Sequence, residues 1–156
     1  MGAHHARRAP GLLGCLAVQR VIIDRTFSKP PDRVFAYLSE HEHLADLFGA
    51  KVTRLRDGTT ERNGVDSVRR LKVGPAPPFE ETVTEFAPGE LIRYRITKGS
   101  PLRDHEGVMR FSPDGAGTRL HYEISFRTKV PGLDRVIAAG LKRNIGKGLE
   151  KVDANA

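Results

Sequence analysis

Apolar residues recur over positions 133–152 at the spacing of a helix with one greasy face: Leu133, Val136, Ile137, Leu141, Ile145, Leu149 and Val152. Pro131-Gly132 separates this helix from a stretch of strict alternation. There Leu120, Tyr122, Ile124 and Phe126 oppose His121, Glu123, Ser125 and Arg127, which predicts a strand with one buried face. Gly140, Asn144 and Gly148 lie on or beside the apolar face of the helix. Glycine weakens a helix interior, so these small residues point to a spatial requirement. A greasy face with gaps can cover a sheet and leave a hollow beneath it.

The rest of the chain alternates between strand patterns and turn signals. The first strand is predicted over 21–27. Lys29-Pro30-Pro31 then opens a short helix over 32–38, with Val34, Phe35 and Leu38 inward. A second short helix over 41–47 turns Leu44, Leu47 and Phe48 to the core. Further strands are predicted over 51–56, 65–73, 79–86, 91–97, 102–111 and 118–127. The turns between them include Asp57-Gly58, the proline-rich Gly74–Pro78, Pro88-Gly89, Gly99-Ser100-Pro101 and Asp114–Gly117. The order is strand, two short helices, six strands and a long helix. This is an α+β meander in which one helix covers the buried face of an antiparallel sheet.

Parity selects the inward residues. Ile92, Tyr94 and Ile96 share one face of their strand, as do His105, Gly107, Met109 and Phe111 of theirs, and Ser67, Arg69, Leu71 and Val73 of theirs. A bulge would invert any of these assignments.

Composition narrows the class. The chain has 156 residues, 38% hydrophobic and 29% charged, which suits one folded domain over about 21–152. Residues 1–20 are expected to be an unordered extension. Cys15 is the single cysteine, so no intrachain disulfide can form and a cytoplasmic location is expected. No apolar run reaches the roughly 18 residues of a membrane span. The net charge of +7 is scattered over every element, and aromatic content is 6%. There is no basic stripe with interleaved aromatics, so no nucleic-acid partner is expected. The sequence says nothing about oligomeric state.

Four local patterns carry a resemblance: Lys29–Phe35, Gly64–Leu71, Glu81–Pro88 and Gly117–Leu120. In this order and spacing they resemble the START-like (SRPBCC, helix-grip) superfamily, and within it the polyketide cyclase/dehydrase-type branch. The resemblance covers roughly 21–152. It implies a curved antiparallel sheet of about seven strands wrapped around the long C-terminal helix, with a cavity between them for a small hydrophobic molecule such as a lipid or polyketide. It implies two activities: carrying or sensing such a ligand, or a cyclase or dehydratase reaction in the same cavity. In hormone-receptor relatives the loops matching Gly74–Pro78 and Gly99–Asp104 act as gate and latch. Pro75, Pro77 and Pro78 stiffen the first loop here and suggest a fixed rim.

Polar residues on inward faces are the candidate site. His105 can act as general acid or base, or be satisfied by a backbone group. Arg69 can anchor a ligand carboxylate or phenolate, or close on Glu81. Pairing Val73 with Phe79 would set Leu71 opposite Glu81, with Arg69 on the diagonal. Tyr94 and Tyr122 need partners for their hydroxyls, either from a ligand or from the core. Met109 and Leu141 are expected on the apolar wall. His41 and His43 are two residues apart, the wrong spacing for ligands on one helix face. Nucleophile and phosphate-loop motifs are missing. Neither metal nor cofactor is expected.

Overall fold

The structure is a computed structural model and describes residues 17–156. The expectation for the extension, and Cys15 with it, falls on residues that lie largely outside those described. The first strand starts two residues earlier than expected: β1 (Gln19–Phe27) already pairs Gln19 with Phe126 and Arg20 with Ser125. Two short helical pieces follow, α1 (Pro31–Ser39) and, after a 3₁₀ turn at His41–His43, α2 (Leu44–Phe48). Pro30 and Pro31 open α1 because a missing N–H costs nothing in the first turn of a helix. Gly49, with φ of +61°, closes α2 in the left-handed region.

Six further strands complete the sheet: β2 (Lys51–Arg56), β3 (Val68–Lys72), β4 (Phe79–Ala87), β5 (Leu91–Lys98), β6 (Arg103–Asp114) and β7 (Gly117–Arg127). Their order is β1-β7-β6-β5-β4-β3-β2, with every neighbouring pair antiparallel. The chain thus runs as a meander from β2 to β7, and β1 closes the far edge. The long helix α3 (Leu133–Leu149) crosses the concave face, and a last turn, α4 (Val152–Asn155), packs beside α1. Ser28 fixes that turn by donating from its backbone N–H and its hydroxyl to Asp153, at 2.9 and 3.1 Å. This is the helix-grip arrangement. Among the described residues, no helix is long and apolar enough to cross a membrane.

Three expectations are corrected. The strand expected over 65–73 is only Val68–Lys72, because Gly64–Ser67 form hydrogen-bonded turns and Asp66 takes a φ of +71°. Val73 therefore lies outside the ladder and is exposed. The strand expected over 102–111 continues to Asp114, pairing through Pro113 down to the Gly115 turn. The helix periodicity was right, but its first turns are not buried. Leu133 and Val136 face solvent, whereas Ala138, Ile145 and Leu149 are buried; the helix ends at Leu149, and buried Val152 belongs to α4.

Burial along α3 follows what lies beneath it. Its C-terminal half sits on α2 and β1. A Cβ on Gly148 would lie 2.5 Å from the Leu47 Cα, so glycine there is what lets two backbones touch. A Cβ on Gly140 would meet nothing within 4 Å. The two glycines look alike in the sequence; one closes a contact and the other borders open space.

At the α1 end the concave face is filled. Phe35 meets the rings of Phe86 and Phe111 edge to face, with both centroid separations 5.1 Å. Val34, Leu38, Leu44 and Leu120 complete this solid part of the core.

Candidate functional site

At the other end of the concave face the interior is hollow. A cavity of about 390 Å³ lies between α3 and strands β3–β7, within the roughly 300–1,000 Å³ typical of small-molecule sites. Its roof is the exposed half of α3, through Ile137, Gly140, Leu141 and Asn144. Its rim comes from the two loops singled out in the sequence, Ala76-Pro77 on one side and Gly99–Leu102 on the other. The wall is mostly aliphatic and aromatic, with Glu81, Tyr94 and His105 as its polar members on the strands.

Of the predicted site residues, Glu81, Tyr94, His105 and Leu141 line the cavity. Arg69, Met109 and Tyr122 do not. Met109 is fully buried and pairs with Ile92 and Tyr122 in the ladders, inside the packed core. Arg69 and Tyr122 instead contact the lining residues Glu81 and Tyr94 from the buried side.

The Arg69–Glu81 relation differs from the expected diagonal. Leu71 pairs with Phe79, and Arg69 stands directly opposite Glu81. The connection over 73–78 is longer than a tight proline turn, which shifts the register by two residues. Arg69 Nε donates to Glu81 Oε2 at 2.8 Å. Nη2 lies 2.7 Å from the same oxygen but is too skewed for a second hydrogen bond. Both side chains are almost fully buried, where a lone charge would be costly. The guanidinium also lies over the Tyr94 ring, 4.6 Å from its centroid.

Tyr94 occupies its place because Gly107 lies opposite it in the ladder. A Cβ on Gly107 would fall 2.1 Å from the Tyr94 ring. The ring lies flat across β6, and its hydroxyl hydrogen-bonds that of Tyr122. Burial raises the pKa of both phenols, and for Tyr94 the neighbouring Tyr122 and Glu81 push the same way against Arg69. Both are neutral hydroxyls at any physiological pH.

His105 sits on an irregular part of β6. The β5–β6 ladder ends at Tyr94–Gly107, and β6 bulges from β7 between Arg103 and Glu106. Beyond the ladder the Ile96 N–H has no strand carbonyl opposite it, and it donates to His105 Nδ1 at 3.0 Å instead. A ring nitrogen that accepts cannot carry the proton, so the neutral imidazole bears it on Nε2. Burial lowers the His105 pKa, with Arg69 in support and against the pull of Glu81 and Glu106. In this arrangement His105 is a neutral hydrogen-bond donor. Service as a base would require the lone pair that Ile96 uses.

Among the described residues, one buried ionisable side chain escaped the sequence reading. His41 is completely buried, with Nε2 3.3 Å from Ser67 Oγ and Nδ1 without a partner among the described residues. Burial, reinforced by Arg69 and Arg54, lowers its pKa to about 3. Its short-helix position hid it: only the packing of the 3₁₀ turn against the sheet turns the ring inward.

Comparison with known proteins fits this architecture. The family described as polyketide cyclase / dehydrase and lipid transport matches residues 19–156. No curated protein matches the chain in sequence. Among solved structures, the chain is similar to the Zhui aromatase/cyclase of Streptomyces sp. R1128, with 23% identity, a TM-score of 0.70 and coverage of 88% of this chain and 94% of that one. It is equally similar in fold to TTHA0849 of Thermus thermophilus, with 19% identity, a TM-score of 0.70 and coverage of 86% and 94%. One half of the di-domain aromatase/cyclase StfQ from the steffimycin biosynthetic pathway also aligns, with 16% identity, a TM-score of 0.70 and coverage of 88% of this chain and 50% of that one. At these identities the likeness establishes the fold and not the activity.

Proposed function

This chain belongs to the polyketide cyclase / dehydrase and lipid transport family, and on that premise we propose that it carries or senses a small hydrophobic molecule in the cavity under α3. One observation carries the reading: an apolar chamber of about 390 Å³ in which each polar side chain of the strand wall already has a protein partner. Arg69 is closed on Glu81, Tyr94 on Tyr122, and the His105 lone pair on Ile96. Such a wall orients a ligand through a few fixed contacts and binds it chiefly by burying its surface. Glu81, Tyr94 and His105 would set that orientation, with Arg69 and Tyr122 holding them from behind and Leu141 covering the apolar body.

A second reading is a cyclase or dehydratase reaction of a bound poly-β-ketone. What favours it is that His105 and Tyr94 share one wall, with ring centroids 5.8 Å apart. The chamber would hold the chain in a folded, reactive shape. His105 would then polarise a ketone by donating from Nε2, while proton removal would require a turned ring.

Native mass spectrometry of protein purified from its own host tests the first reading, together with titration of a fluorescent fatty-acid probe. The expected result is a retained small-molecule mass and saturable probe uptake, both abolished by Gly140→Phe, which fills the roof. Probe uptake unchanged in Gly140→Phe would refute binding in this cavity. Turnover of a poly-β-ketone, lost in His105→Ala while the ligand is still bound, would establish the second reading instead.

A further inference from the structure

His105 stands between two hollows. One is the apolar cavity. The other is a recess of about 420 Å³ lined by Arg95, Ile96, Leu102, Asp104, His105 and Glu106. Ile96, Leu102 and His105 belong to both linings. The backbone explains why the two come so close. Strand β5 runs on to Lys98, yet its ladder with β6 stops at Tyr94–Gly107. On the other side β6 bulges off β7, and Asp104 takes a φ of +49°. The strands are parted here, so the partition is a few side chains rather than hydrogen-bonded sheet. His105 is held across it by the contact with Ile96 N–H at 3.0 Å.

Charge decides what the recess can take. Its two carboxylates each have a nearer cation elsewhere. Glu106 has Arg93 at 2.6 Å, and Asp104 has Arg127 at 3.6 Å. Arg95 has only a contact of 3.9 Å, to the Glu106 oxygen that Arg93 does not use. Its guanidinium is half exposed and, among the described residues, the least satisfied charge of the recess. A guanidinium in that state suits a carboxylate, which it can meet with two parallel N–H donors.

We infer that the recess is a polar subsite of the cavity, taking the carboxylate of an amphipathic acid whose apolar body lies under α3. The inference rests on the ligand-binding reading above and adds the ligand class to it. The carboxylate passes the His105 partition between β5 and β6 and meets Arg95, while His105 Nε2–H is available to its oxygens. Without such a partner the acid would have to shed its charge in the chamber.

The test uses the full chain and two probes, 11-(dansylamino)undecanoic acid and its methyl ester, followed by fluorescence. The expected result is an acid bound about fivefold more tightly than the ester, the size of one exposed ion pair. Arg95→Gln is expected to abolish that preference and leave ester affinity unchanged. Arg110→Gln, which removes the same charge toward the far end of β6, is expected to preserve it. Equal binding of acid and ester by the parent protein would overturn the subsite while leaving the cavity reading intact. So would an acid preference that survives Arg95→Gln or disappears in Arg110→Gln. Failure of both probes to bind would remove the cavity reading itself.

Discussion

The two ends of the concave face are built from the same strands and behave oppositely. At the α1 end, Phe35 fills the space against Phe86 and Phe111, and the core is solid. At the loop end, α3 passes over the sheet with Gly140 and half-buried Ile137 and Leu141 facing inward, and about 390 Å³ stays open. The difference lies in the layer that covers each end. One end is plugged by an aromatic side chain from a short helix, and the other is only bridged. Stability is concentrated where packing is dense, and binding capacity where it is withheld.

The sharpest way to break this contrast is a truncation at each end. Phe35→Ala is expected to cost about 3–5 kcal/mol in chemical denaturation, whereas Leu141→Ala at the cavity roof is expected to cost well under half of that and to weaken probe binding. Equal costs would mean that the open end is as tightly packed as the closed one.

A comparable loss is expected from breaking the buried pair at the border between the two regions. Glu81→Leu strands the Arg69 guanidinium and is expected to cost about 3–5 kcal/mol. Arg69→Met with Glu81→Leu is expected to recover most of that loss, as measured by urea unfolding of the single and double variants. A double variant as unstable as the single would show that the pair is worth more than its mutual neutralisation.

Acid acts through His41. The folded state keeps this ring neutral down to about pH 3, while the unfolded chain takes up a proton near its ordinary pKa of about 6.5. The unfolded state therefore binds more protons over that window, and stability falls as pH drops through it. From pH 6.5 to 5 the loss is expected to be about 1.5 kcal/mol. His105, whose pKa is also lowered, acts in the same direction. His41→Gln is expected to flatten the slope of unfolding free energy against pH. An unchanged slope would show that other groups govern it.

Effects of opposite sign separate the glycines of α3. Gly148→Ala drives a methyl into the Leu47 backbone and is expected to cost about 1–3 kcal/mol. Gly140→Ala meets nothing and is expected to stabilise by up to about 1 kcal/mol through helix propensity. Thermal unfolding of the two variants should move in opposite directions.

These pairs also show where the sequence stops being legible. The succession of strands along the chain, the inward faces of β5 and β7, and the turns between them follow from alternation and punctuation, which are local; the pairing of β1 with β7 does not. The partner of Arg69 was legible as Glu81, but their register was not, because it depends on how the chain uses residues 73–78. The faces of His105 and Met109 were assigned correctly. That His105 reaches the cavity and Met109 does not depends on where the sheet parts and where the core closes. Leu133 and Val136 have the periodicity of a buried face, yet both are exposed to solvent.

The sequence by itself determined a strand, two short helices, six further strands in a meander and a terminal amphipathic helix, because side-chain period and turn chemistry are written residue by residue. Only the tertiary structure decided which part of the interior is empty, which glycine touches backbone and which lone pair of His105 is already taken. Each of those depends on distances between segments far apart in the chain, and local preference does not encode them.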